Sequence, residues 1–143
     1  MLKRYYTDLV TEAPVPAKQA YRFFTRVDDW ADWSAAIHKV KLFGGEWRKG
    51  ANLVFMPKIG NLPPVPIPVK ILSVKPDQSI TWGLDLPGAK LKHRFSFIPV
   101  GDGFCRIHHE EWSEGLMTLA VWPAGGLINK FNKQFAAELA AMF

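Results

Sequence analysis

The sequence predicts an α+β fold: a curved antiparallel sheet of about seven strands around a long C-terminal helix, with two short helices after the first strand. Three observations predict it. Leu127, Phe131, Phe135, Leu139 and Phe143 recur every fourth residue, on one stripe of an amphipathic helix over 127–143. Upstream, glycine and proline divide residues 38–114 into runs of strand length. Strands joined by tight turns run antiparallel, and a helix with three phenylalanines on one stripe needs a broad apolar surface to lie in.

In chain order, Lys3–Ala13 is rich in Tyr, Thr and Val and reads as the first strand, ended by Pro14 and Pro16. Pro16 suits the first turn of a helix over 17–25, where Ala20, Tyr21 and Phe24 hold helical spacing. Asp28-Asp29 punctuates, and Trp30–Ala36 reads as a second short helix with Trp30 and Trp33 on one side. The next strands are expected at 38–43, 51–56, 69–74 and 78–86, with Ile80, Trp82, Leu84 and Leu86 sharing a face of the last. Between them, Pro57–Pro68 is too proline-dense for a central strand, because each proline removes a ladder donor. Its Ile59, Leu62, Val65 and Ile67 make it a rigid connection, or an apolar lip touching a ligand, a partner or a membrane. Strands at 89–99 and 104–114 form a hairpin around Gly101-Asp102-Gly103. Gly125-Gly126 after Pro123 marks the start of the final helix, whose Asn129, Lys130, Asn132, Lys133 and Glu138 fill the polar side. A meander closing on one long helix is the helix-grip arrangement, which leaves a cavity between sheet and helix.

At 143 residues the chain is expected to form one domain over 1–143. Apolar residues at 48% and charged residues at 22% are ordinary for a globular chain, whereas 13% aromatics and six tryptophans are high. No apolar run approaches the roughly 20 residues needed to span a membrane. The charged, strand-like N-terminus does not read as a signal peptide. The only cysteine, Cys105, excludes an internal disulfide and reads as inert and buried, which suits a reducing, cytoplasmic location. The net charge of +5 is spread from Lys3 to Lys133 without a dense run or a nucleic-acid motif. No nucleic acid is expected as partner. A solvated basic surface is preferred, transient contact with an anionic membrane stays compatible, and monomer or homodimer is open.

Several short motifs together resemble the START-like superfamily, also called SRPBCC or birch-pollen-allergen-like, and its polyketide cyclase/dehydrase-type members. They are Ala13-Pro14-Val15-Pro16-Ala17, Asp28–Trp33, Lys49-Gly50, Ile80-Thr81-Trp82 and Cys105–Gly115. The resemblance covers essentially the whole chain and implies the helix-grip fold. It does not imply one activity, since the superfamily includes lipid carriers, hormone receptors, cyclases and coenzyme Q-binding proteins.

Strand alternation sets Leu91, His93, Phe95 and Phe97 on one face of the sixth strand, and their apolar character makes that face inward. On the seventh, Cys105, Ile107, His109, Glu111 and Ser113 share a face, and the family-like pattern turns it inward. His93, His109 and Glu111 then approach one another inside an apolar cavity. Three roles compete: a satisfied buried polar network, an acid/base site acting on a bound carbonyl compound, or a two-histidine, one-carboxylate metal site. The network is preferred; no metal and no cofactor is expected. The Glu111–histidine pair is expected to titrate together at mildly acidic to neutral pH.

The leading functional expectation is binding of an apolar or aromatic small molecule, lipid-, polyketide- or quinone-like. Candidate contacts on the sheet are Trp82, Leu84, His93, Phe95, Phe97, His109 and Glu111; Trp33, Phe131 and Phe135 face them from the helices. The alternatives are a cyclase/dehydrase-type enzyme using His93, His109 or Glu111, and an interaction module using the loop 57–68.

Overall fold

In the computed structural model, which describes residues 2–143, β1 (Lys3–Ala13) is followed by α1 (Ala17–Phe24) and α2 (Trp30–Trp33), with a 3-10 turn at Val27–Asp29. Six strands follow: β2 (Ile37–Leu42), β3 (Asn52–Pro57), β4 (Ile67–Lys75), β5 (Ser79–Leu86), β6 (Ala89–Val100) and β7 (Phe104–Gly115). The chain closes with α3 (Leu116–Val121), a 3-10 turn at Trp122–Ala124 and α4 (Gly125–Ala140). The sheet order is β1-β7-β6-β5-β4-β3-β2, antiparallel throughout. β2 to β7 are thus a meander, and β1 returns to pair with β7. This curved seven-stranded sheet on a long C-terminal helix is the helix-grip fold.

Three features differ from the sequence expectation. Pro57 ends β3, and Ile67 and Pro68 already belong to β4, so the irregular loop is 58–66. Pro68 is tolerated because it pairs only with Val54 of β3, and pairing with β5 begins at Lys70. The second difference is α3, an extra helix before the expected one. Gly115, at φ 66°, makes the strand-to-helix turn, and a Cβ there would collide with the Gly88 carbonyl. Ser113 Oγ then donates to Thr118 Oγ1 at 2.8 Å and pins α3 to β7.

The third difference concerns α4, which begins two residues before Leu127 and ends three before Phe143. Phe135 and Leu139 are fully buried, Phe131 is half-buried and Leu127 is exposed. The expected stripe therefore holds only through its middle. Phe143 leaves the helix and packs edge-to-face on Phe23 at 5.2 Å. Two residues placed on the polar side are structural instead: Asn132 is completely buried, and Glu138 accepts from Ser34 Oγ at 2.9 Å and from the Ala35 N–H at 2.7 Å. Glu138 thereby ties α4 to the connection between α2 and β2.

The two ends of the sheet are built differently. At one end Phe24 sits amid Trp30, Phe95, Phe97 and Phe135, with ring centroids 4.5 to 6.2 Å away. The interior there is solid aromatic core. At the other end the β3–β4 loop, the β5–β6 turn, α3 and the first turn of α4 surround an opening.

Candidate functional site

β6 and β7 set the centre of the site. Their register places His93 opposite Glu111 and Phe95 opposite His109, all facing α4. The His93 and His109 rings stack at 4.4 Å with their Nε2 atoms in contact, and His93 Nδ1 lies 3.5 Å from Glu111 Oε1. Trp82 covers His93 at 4.5 Å and Phe95 covers His109 at 4.0 Å. Asn132 of α4 closes the chain by donating to Glu111 Oε1 at 2.7 Å and to Thr7 Oγ1 at 2.9 Å. Thr7 in turn donates to Asn129 Oδ1 at 3.1 Å. A continuous polar chain therefore runs from the sheet into the long helix.

Burial decides the charges of this chain. It lowers His93 to about 3 and pushes His109 well below the usual imidazole range, with the charges of His93 and His108 adding to the fall. It raises Glu111 to about 7, against the opposing effect of the Asn132 hydrogen bond. The expectation of a jointly titrating carboxylate and imidazolium is therefore corrected: both rings are neutral at neutral pH, and Glu111 titrates there alone. His109 Nδ1 is buried and has no hydrogen-bond partner among the described residues. His93 turns one nitrogen toward His109 and the other toward Glu111.

A cavity of about 230 Å³ lies against one side of this chain. Trp82, His93 and Glu111 line it from the sheet, and Ile128, Phe131 and Asn132 line it from α4. Phe55, Pro57, Ile59, Ile67, Val69, Gly83, Leu91 and Val121 complete the wall. Of the ten expected contacts, Trp82, His93, Glu111 and Phe131 thus meet at the cavity. Phe95, Phe97, His109 and Phe135 lie deeper, packed without space for a guest. Trp33 stacks on Phe135 at 5.1 Å, and half-buried Leu84 falls outside the lining.

Sequence reasoning missed Asn132, although a signal existed. It sits three residues before Phe135 and four after Ile128, inside the apolar arc. Val121 was missed because α3 was not foreseen, and Ile128, although inside the expected final helix, was not taken as a contact.

Two other features lie outside this site. A larger open groove of about 530 Å³ runs between α1 and the end of the chain, lined by Lys18, Arg22, Arg26, Phe23 and Phe143 among others. On the outer sheet face Asp8, His108 and Glu110 cluster, with Arg94 Nη2 2.9 Å from Glu110 Oε1 and His108 Nε2 2.6 Å from Asp8 Oδ1. These contacts lie on the opposite side of the sheet, with Glu110 buried and Asp8 exposed.

The helix-grip fold is START-like. The family described as polyketide cyclase / dehydrase and lipid transport matches residues 7–142, and the chain belongs to it. Solved structures agree on the fold. A START superfamily protein from Mycobacterium smegmatis is 13% identical, covers 95% of this chain and 94% of its own, and superposes with a TM-score of 0.74. Truncated norcoclaurine synthase from Thalictrum flavum is 14% identical over 99% of this chain and 93% of its own, with a TM-score of 0.71. The Zhui aromatase/cyclase from a Streptomyces species is 11% identical over 96% and 94%, with a TM-score of 0.67. No curated protein matches the sequence.

Proposed function

We propose that the chain binds a small, flat, largely apolar molecule carrying one hydrogen-bonding group, held between Trp82 and Phe131 with that group at Glu111. The observation that carries this is the cavity itself: apolar walls converge on a single titratable carboxyl. Ligand pockets ordinarily run from about 300 to 1,000 Å³. At about 230 Å³ this one suits one or two fused rings, the small end of the polyketide- and quinone-like classes, and not a sterol. Both polar contacts of Glu111 use Oε1, which leaves Oε2 for the guest. Below about pH 7 the carboxyl donates to a carbonyl oxygen; above it, the carboxylate accepts from a hydroxyl.

Native mass spectrometry and titration with 2-naphthol and 1-tetralone test this. Both should bind, and a four-ring sterol should not. Tetralone, an acceptor only, should weaken as pH rises through 7, while naphthol should not. Failure of both small compounds to bind would end the proposal.

A second activity is favoured by one feature, a carboxyl held near pH 7 inside an apolar cavity, as acid/base catalysis at neutral pH requires. Here Glu111 would take a proton from the carbon next to a bound carbonyl and return one. Deuterium exchange at that carbon of tetralone reads this step. Exchange lost in Glu111→Gln, with melting temperature and tetralone binding retained, supports the enzyme; no exchange in the parent protein refutes it.

A further inference from the structure

We infer that the open end of the sheet docks on an anionic lipid bilayer, with the cavity mouth facing the membrane. Three connections meet there, because β3, β5 and β7 end where β4 and β6 begin. Residues 59–69 and 116–128 contain no Asp, Glu, Lys or Arg, and neither does the turn 86–89. The loop and the α3–α4 segment are neighbours across the mouth, since Ile59 and Ile67 line the cavity opposite Val121 and Ile128. The turn joins them through the Leu116 N–H, which donates to the Gly88 carbonyl at 2.8 Å.

These connections expose their apolar side chains. Leu62, Val65, Leu116, Leu119 and Trp122 are each more than half exposed, from 53% to 69%. No charged residue interrupts this surface, and an exposed apolar patch of this kind marks an interaction site.

Charge favours a bilayer as its occupant. Lys58 and Lys70 bracket the loop, Lys130 follows the α4 turn, and the Arg4 guanidinium sits 4.1 Å above the Trp122 ring. Of the acids at this end, Asp85 pairs with Lys90 at 3.3 Å, and Glu114 stands opposite Lys3 and Lys90 in the sheet register. An apolar tip ringed by cations, with an amphipathic tryptophan between, fits the lipid interface and its anionic headgroups. Proline holds the loop stiff, so little ordering is needed on contact. Among the described residues no helix is long and apolar enough to cross a membrane, so this surface lies on the bilayer and does not span it. The inference extends the cavity proposal by giving the guest a route to and from lipid, but surface attachment itself does not depend on a guest.

The test is co-sedimentation of the protein with vesicles of phosphatidylcholine and phosphatidylserine in a two-to-one ratio, and with phosphatidylcholine alone. Binding is expected to the anionic vesicles, with a blue shift in emission that Trp122→Phe removes, since the other five tryptophans are buried or half-buried. Raising salt should weaken it. Val65→Glu and Leu119→Glu should each reduce association tenfold or more, whereas Phe104→Glu, equally exposed at 52% but at the opposite end, should leave it unchanged. No association with anionic vesicles overturns the inference, as does an equal loss in the Phe104 variant. So does a dimer in light scattering that Leu119→Glu dissolves, which assigns the surface to a second copy. Filling the cavity from the sheet side with Leu91→Phe should abolish naphthol uptake without changing vesicle binding, so each idea fails separately.

Discussion

The two ends of the sheet do opposite work with the same strands. At the closed end the connections are glycine and polar turns, Pro76-Asp77-Gln78 and Gly101-Asp102-Gly103, and α1 packs over them through Arg22–Asp77 at 3.4 Å. Inside that end, Phe24, Phe95, Phe97 and Phe135 fill all the space. At the open end the connections are apolar and exposed, and the interior holds a cavity and a buried carboxyl. The difference teaches that dense packing and open space have been separated along the strand direction. Density at one end permits the other to stay hollow, since a cavity forfeits packing energy that must come from elsewhere.

The largest effect should come from emptying the closed end. Phe135→Ala should cost about 3–5 kcal/mol, read as a fall in denaturant midpoint. A variant that melts with the parent would mean that the aromatic end is not what holds the helix.

The next effect lies where the two ends meet, at the neutral histidines. His93 and His109 have folded values below the usual 6.5, so they take up protons on unfolding and stability falls as pH drops below 6.5. Glu111, raised from 4.5 to about 7, acts the other way: its contribution is present at acid pH and lost as pH rises through 7. The two rings outweigh the one carboxyl, so protons are taken up on unfolding and stability rises with pH between 4.5 and 6.5. Stability should level off near pH 7. Glu111→Gln removes the opposing group and should steepen the acid limb; a flat profile from pH 4.5 to 6.5 would show that the rings are not held neutral.

Smaller still is the cost of filling the open end. Ile128→Phe should change stability by less than about 1.5 kcal/mol, because the cavity can receive the larger ring, while abolishing uptake of small aromatics. A loss as great as that of Phe135→Ala would mean that the open end is as tightly packed as the closed one. The least effect is expected at the exposed loop. Leu62→Ser and Val65→Ser should shift stability by no more than about 0.5 kcal/mol, since neither side chain is buried.

Period-two alternation and turn residues determined most of the fold from sequence alone. They place every strand within two residues of its observed bounds and put His109 and Glu111 on one face of β7, while the family resemblance supplied that this face turns inward beside His93. Those patterns are local, and the physics behind them acts within a few residues. What needed tertiary structure was everything set by who lies opposite whom. Asn132 reads as a polar surface residue until Glu111 and Thr7 come within hydrogen-bond reach across the interior. Phe95 and Phe97 share the inward face with His93, yet α1 brings Phe24 down on them and closes that space, so the cavity forms only at the other end. The charge states followed the same rule. A histidine beside a glutamate is compatible in sequence with an ion pair, and burial of both rings among aromatics made them neutral instead, because desolvation outweighs the attraction of the carboxyl.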